Sequence, residues 1–272
     1  MMVTILFAIA LVLYLGASGT LAVSFADGRG SAPRAPAALI GFGMAIHAAA
    51  LIAYTARYAE LPLVGLAPSL STLAFLITAF LFVTSLTETR PVGIVLVPLI
   101  SILLAVALII GIAPSGEPIA FGGIWFSFHV LLAFIGYAAL SVAFAAGLLY
   151  LLQFRELKDK RLGRIFQFLP SLPALDSLGR RALVVGFPAL TIALGLGWAW
   201  TVRFRGTLAP TNPQVIWGVI TWLTFAALFA VRLTGARNVQ RRAALANVVG
   251  FLIVLVSYLA LRLFAAGGQV FL

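Results

Sequence analysis

The sequence predicts an all-α fold, a polytopic membrane bundle of about eight transmembrane helices with both termini outside. Three observations carry that expectation. The 272 residues are 63% hydrophobic and only 9% charged, with a mean hydropathy of +1.15, whereas a soluble domain carries about 25% charged residues. Apolar runs of about 20 residues recur, each long enough to cross a hydrocarbon layer of about 30 Å as a helix. The basic residues, moreover, alternate between rich and poor connections, as orientation across a membrane requires.

Taken in order, the runs cover roughly 3–24, 36–56, 65–86, 93–113, 123–153, 182–202, 214–232 and 243–264, and residues 1–272 read as a single transmembrane domain. The first begins at Met1 without a basic leader or an Ala-x-Ala-like cleavage site, which reads as a retained span. Pro33, Pro36, Pro62, Pro68, Pro91, Pro114 and Pro118 mark the turns around the second, third and fourth spans, where helices start or stop. Pro98 falls within the fourth span and Pro188 within the early turns of the sixth. The fifth span opens after Gly122-Gly123. Between the fifth and sixth, FRELKDKRLGRIFQFLPSLPALDSLGRR (residues 154–181) interleaves Leu, Ile and Phe with basic residues, which suits a segment lying along the inner headgroup layer. Ser171 before Pro173 marks a helix start there.

A formal charge of +11 would point to nucleic acid in a soluble protein. Here 14 of the 18 basic residues fall in alternate connections, the 154–181 segment being the richest. The positive-inside rule puts those connections in the cytoplasm and both termini outside. Arg57, Arg203 and Arg205 then flank the outer surface, and Arg262 lies near the end of the last span.

Chemistry has few carriers. Cysteine is absent, which excludes disulfides and thiolate metal sites. The carboxylates are Asp27, Glu60, Glu88, Glu117, Glu156, Asp159 and Asp176, of which Glu156 alone comes near a span, at the inner end of the fifth. A transporter coupled to protons or sodium keeps an ionisable group near the midplane, so that class loses ground. Walker-type loops and His-Glu-x-x-His pairs are missing too.

The two histidines of the chain remain, His47 in GFGMAIHAAALIAY and His129 in WFSFHVLLAFIGYAAL. On the span boundaries above, His47 lies ~14 Å below the outer surface and His129 ~9 Å, a difference of ~5 Å. One helical turn from His129 stand Trp125, Phe126, Ala133 and Gly136; around His47 stand Gly43, Met44, Ala50 and Leu51. Small residues beside an imidazole leave room for a flat ligand and aromatics close its edges. A haem with iron held by both imidazoles fits such a slot, its propionates reaching Arg57, Arg203 or Arg205. The bland alternative stands beside it: small residues are usual at membrane helix contacts, and a neutral histidine there hydrogen-bonds a Ser, Thr or backbone carbonyl of a neighbour. Trp198, Trp200, Trp217 and Trp222 read first as an aromatic belt, and the arginines as snorkelling ends.

WFSFHVLLAFIGYAALSVAFAAGLLYLLQ, LPSLPALDSLGRRALVVGFPALTIALGLGWAW, IWGVITWLTFAALFAVRL and RRAALANVVGFLIVLVSYL together resemble the cytochrome c assembly family (CcsA/CcmC-like) of membrane proteins, most strongly over residues 120–266. Within it the pattern is similar to the short, eight-span HemX/YpjD-like branch. The resemblance implies a haem-handling protein of the bacterial inner (cytoplasmic) membrane, binding haem b non-covalently. Trp125 and His129 match a family Trp-x-x-x-His-Val segment whose histidine is an external haem ligand. The implied partners are haem, membrane lipid and another membrane protein of cytochrome assembly, with no nucleic acid. Two departures stand out. Members that attach haem carry a tryptophan-rich Trp-Gly-x-x-Trp-x-Trp-Asp segment where this chain has RFRGTLAPTNPQ, and Ala230 occupies the position of a second external histidine. The expectation is therefore haem binding or transfer without a haem lyase activity, not an enzyme and with no catalytic residue. A cofactor-free scaffold or regulator of another membrane protein is the alternative, and a small-solute transporter comes third.

Overall fold

The computed structural model describes residues 2–27, 34–85, 90–114, 124–160, 163, 168–205, 213–233 and 239–264. Gly122-Gly123, Glu88, Glu117 and positions 206–212 of the connection before the seventh span lie outside the described residues.

Among the described residues there are eight α-helices: α1 (Met2–Ala26), α2 (Arg34–Tyr58), α3 (Leu66–Ser85), α4 (Gly93–Ile110), α5 (Ile124–Lys158), α6 (Leu172–Arg205), α7 (Pro213–Leu233) and α8 (Val239–Phe264). Each is long and apolar enough to cross a membrane, so the chain is a multi-pass membrane protein. With no water in a bilayer core to satisfy backbone N–H and C=O groups, helices that pair these groups internally are the natural solution for such apolar runs.

Which faces meet is set by small residues and by aromatic fit. In the first half, α1 packs on α2 and α4, and α3 on α2 and α4. In the second, α5 packs on α6 and α8, and α7 on both of those, while α3 joins the halves by packing against α5. Contacts fix the directions. Phe126 meets Trp200 and Gly136 meets Leu190, so α5 and α6 run antiparallel. Leu63, just ahead of α3, packs with Val130 and Phe134 near the start of α5, so those two helices run parallel. The beginning of α5 and the ends of α2 and α6 therefore share one end of the bundle. At the opposite end, a Cβ at Gly147 would lie 2.6 Å from the carbonyl oxygen of Ala244, a separation that only glycine tolerates. That close crossing locks α5 to α8.

The predicted runs all appear, but the sixth helix begins well before the run that hydropathy indicated. Residues 172–181, expected along the headgroups, form the first turns of α6 instead. Ser171 starts the helix, its Oγ accepting the N–H of Ala174 at 3.4 Å. Leu175, Leu178 and Ala182 are buried against the bundle. Asp176 is anchored by Arg232 of α7, whose Nη1 donates to Oδ1 at 2.9 Å. Pro188 consequently sits in the middle of α6 and not in its early turns, and the helix continues through it.

Candidate functional site

At the end of the bundle where α5 begins, a cavity of about 540 Å³ opens between α5, α6, α7 and the last turns of α8. Its size is that of a site for a cofactor or small molecule. Among the described residues no Asp, Glu, Lys or Arg lines it. Its polar centre is His129, on the α5 face that also presents Phe126, Val130 and Ala133.

The seat of His129 follows from the backbone of α6. The Nδ1–H donates to the carbonyl oxygen of Ala193 at 2.6 Å. Four residues on, and so directly above that carbonyl along the helix, the chain places Gly197. A Cβ there would lie 2.5 Å from Cε1, 2.9 Å from Nδ1 and 3.3 Å from Nε2 of the imidazole. The ring thus presses its Cε1 edge against bare backbone. With Nδ1 protonated, Nε2 carries the lone pair, and it has no hydrogen-bond partner among the described residues. A histidine that donates one nitrogen to a backbone carbonyl while offering the other is the usual arrangement of an imidazole metal ligand.

Aromatic rings build the walls. Trp198, Trp200, Trp217 and Trp222, expected as a belt, all line this one cavity. The indole N–H of Trp222 donates to Thr191 Oγ1 of α6 at 3.1 Å, and that of Trp217 to the carbonyl of Val254 in α8 at 3.2 Å. The two tryptophans of WGVITW therefore tie α7 to both its neighbours. Trp217 also packs between Tyr137 and Tyr258, with centroids at 4.8 and 5.2 Å. Trp198 is 60% exposed, so the cavity reaches the surface of the bundle. Sequence reasoning missed Gly197 and Ala193 entirely; the glycine-rich run GLGW in the sixth span was the available signal.

The other expected site residues are distributed differently. Trp125 is 65% exposed and stands outside the lining, its place being taken by Phe126. Arg203 is exposed in the last turn of α6, ~9 Å beyond Gly197 along the helix axis. Arg205 ends the same helix, and its side chain lies outside the described residues. Arg57 is exposed at the end of α2, its guanidinium 5.5 Å from the centroid of the Tyr58 ring. Ala230, where a second histidine was sought, is exposed and lies ~12 Å beyond Trp222 along α7, away from this cavity.

His47 is not in this site. It is completely buried among α1, α2 and α3, with Nδ1 3.3 Å from the Tyr14 hydroxyl and Nε2 3.0 Å from Ser71 Oγ. Whichever tautomer it adopts, both nitrogens are engaged. Phe7 and Phe75 close on it edge-on, at 5.6 and 5.5 Å between centroids. None of these neighbours touches His129 or lines its cavity. The α3 helix that supplies Ser71 and Phe75 is the one that also packs against α5. Among the described residues the two imidazoles expected to share one slot thus lie apart, His47 hydrogen-bonded between Tyr14 and Ser71 and His129 on the cavity.

Among the described residues no three His, Cys, Asp or Glu side chains converge as a metal centre. What the cavity fits is a flat, largely apolar group that brings its own equatorial ligands: a single free imidazole nitrogen, a ring seat that a Cβ would fill, and aromatic walls. Haem is a group with that donor requirement, and His129 would be the residue to hold it.

Fold and cavity together define a class, that of eight-span membrane bundles with a histidine-bearing aromatic cavity at one end. The family profile described as Cytochrome C assembly protein matches residues 37–267. The chain belongs to the cytochrome c assembly protein family. A cytochrome c biogenesis protein CcsA from Synechococcus sp. (strain JA-3-3Ab) is 30% identical over 292 aligned residues, covering 85% of this chain and 83% of that protein. CcsA proteins of Chlamydomonas reinhardtii and Guillardia theta are each 32% identical over 53% of this chain. The match spans 39% and 52% of those two relatives' own lengths. The family match begins within α2, so the likeness reaches well ahead of residue 120.

Proposed function

We propose that this protein binds haem b non-covalently in the α5–α8 cavity, with Nε2 of His129 as the iron ligand, and holds or passes it on during cytochrome c assembly without attaching it. The observation that carries the reading is the imidazole of His129, fixed by the Ala193 carbonyl over Gly197 with one nitrogen left for a ligand. Haem supplies the iron that this nitrogen would ligate. Trp198, Trp200, Trp217 and Trp222 would cover the porphyrin faces and edges, and Arg203, exposed in the last turn of α6, would reach for a propionate. Arg205 and Arg57 belong to the same end of the bundle, with Arg57 on the far half. Membership of the family and the CcsA names of its relatives support the assembly role.

The same proposal takes the membrane to be the bacterial inner membrane, with the cavity end and both termini on its outer side; the distribution of basic residues supports that orientation. The lack of a tryptophan-rich Trp-Gly-x-x-Trp-x-Trp-Asp sequence supports transfer rather than attachment and assignment to the short HemX/YpjD-like branch. Membrane lipid surrounds the spans, and another membrane protein of cytochrome assembly is the expected recipient or donor.

An optical experiment tests this. Purified in detergent with haem supplied, the protein gives a Soret band that His129→Ala abolishes and His47→Ala at equal folded concentration does not. Absence of the band in both oxidation states would leave the cofactor-free scaffold, in which the His129–Ala193 bond serves only to tie α5 to α6.

A further inference from the structure

We infer that a second, smaller cavity of the bundle, a crevice of about 230 Å³ between α3, α4, α5 and α8, holds one hydrocarbon chain of a membrane phospholipid. The inference stands apart from the haem reading and gives the protein a second binding site, one that backs onto the His129 cavity.

Depth and lining select that occupant. Leu70 and Leu73 of α3, Leu103 of α4, Leu140 of α5, and Phe251 and Leu255 of α8 face the crevice. Leu103 stands ~10 Å before the end of α4 and Leu255 ~14 Å before the end of α8, which puts both inside a hydrocarbon layer of about 30 Å and away from water-soluble ligands. Among the described residues no charged side chain lines the crevice. The serine hydroxyls on it are turned back to the chain, Ser69 Oγ donating to the Leu63 carbonyl at 3.1 Å and Ser141 Oγ to the Tyr137 carbonyl at 2.9 Å. The Trp217 N–H is likewise taken, by Val254. Tyr137 and Tyr258, packed on Trp217, complete a wall shared with the His129 cavity. The volume falls below the roughly 300–1,000 Å³ of sites for ring-bearing ligands of drug size, and suits a single chain.

The mouth faces the bilayer. Because α4 packs chiefly on α3 and α1, and α8 on α5 and α7, these two helices flank the opening without closing it. Leu255 is exposed at its edge, and around it Ile102 and Val106 of α4 and Leu252 and Val256 of α8 are exposed as well. Aliphatic side chains on the outside of a span meet acyl chains. An empty crevice deprives its lining of dispersion contacts, and a flexible chain entering from that side restores them. A neighbouring protein would need a protruding side chain matched to this shape, whereas acyl chains surround the bundle at this depth.

The test is native mass spectrometry of the full chain in detergent. Titrated with phosphatidylglycerol and phosphatidylethanolamine that carry the same long acyl chains, the protein retains one phospholipid at collision energies that strip the rest. The two headgroups compete equally, because the seat reads only the chain, and dihexanoyl phosphatidylglycerol does not displace either. Leu103→Trp and Leu255→Trp, which fill the mouth from opposite sides, lose the retained lipid, whereas Ile102→Trp on the outward face of α4 keeps it. Retention that follows headgroup charge would place the lipid at the basic connections and overturn the inference. So would a wild-type protein that retains none, or mouth variants that retain as much as wild type. A membrane protein that co-purifies with wild type and is released by the mouth variants would overturn it too, by giving the crevice a protein occupant. Should the mouth variants not fold, the headgroup and short-chain competitions on the wild-type chain decide. None of these readings uses the Soret band, so their failure leaves the haem reading where it stands.

Discussion

Gly197→Ala probes the seat of His129 at its narrowest point. The new methyl would lie 2.5 Å from Cε1, so the ring must shift toward the cavity and away from its place against the Ala193 carbonyl. Overpacking of this kind costs about 1–3 kcal/mol. If the ring is the haem ligand, haem affinity by Soret titration falls about tenfold for each 1.4 kcal/mol. Gly195→Ala is the matched control, since it lines the same cavity but its Cβ would meet nothing within 4 Å. Equal effects of the two would refute the seat. His47→Ala acts in another currency. It opens a cavity in the first half of the bundle and takes a hydrogen-bond partner from the Tyr14 and Ser71 hydroxyls, a loss of ~2–4 kcal/mol in thermal unfolding with the Soret band unmoved. Residue chemistry made both histidines visible in the sequence, yet their separation was not. Depth along a span is legible from residue counting, whereas the direction in which a side chain leaves its helix depends on which neighbour that face meets. For His47 that neighbour was the hydroxyl pair of α1 and α3.

Helices were the most legible level, because hydropathy reads insertion directly and all eight runs exist. Their ends were less so. The first turns of α6 carry Asp176, Arg180 and Arg181, which lower the hydropathy and mask a helix whose opposite face buries Leu175, Leu178 and Ala182. Nothing local announces that Asp176 finds Arg232 of α7, 56 residues away. The pair is 22% and 14% exposed, and Asn247 and the Arg232 Nε beside it keep buried polar atoms without partners among the described residues. Asp176→Ala should therefore cost about 1–3 kcal/mol in thermal unfolding, below the 3–5 of a fully buried pair because solvent still screens this one. Arg232→Ala combined with Asp176→Ala should cost less than the sum of the single changes, since the second removal relieves the charge stranded by the first. Strict additivity would show that the two side chains do not support each other across α6 and α7. The tryptophans tell the same story at this scale. A belt and a cavity wall have identical composition, and only the hydrogen bonds of Trp217 and Trp222 to α8 and α6 distinguish them.

Orientation in the bilayer belongs to the whole molecule, and the chain is well suited to measuring it because it contains no cysteine. The contacts put the ends of α2 and α6 at the end of the bundle that carries His129, and the end of α5 and the start of α6 at the other. Arg57→Cys and Arg203→Cys, both exposed in the protein, therefore report on the cavity end, and Lys160→Cys on the opposite one. If the basic connections lie in the cytoplasm, a membrane-impermeant maleimide added to intact spheroplasts labels positions 57 and 203 at once. Position 160 reacts only after permeabilisation. The fully reversed pattern would keep the bundle but turn the cavity to the inside, so the site would receive its ligand from cytoplasmic pools. Labelling of 57 and 203 from opposite sides would be more damaging, because two helix ends assigned to one surface by the α3–α5 and α5–α6 contacts would then be separated by the membrane itself.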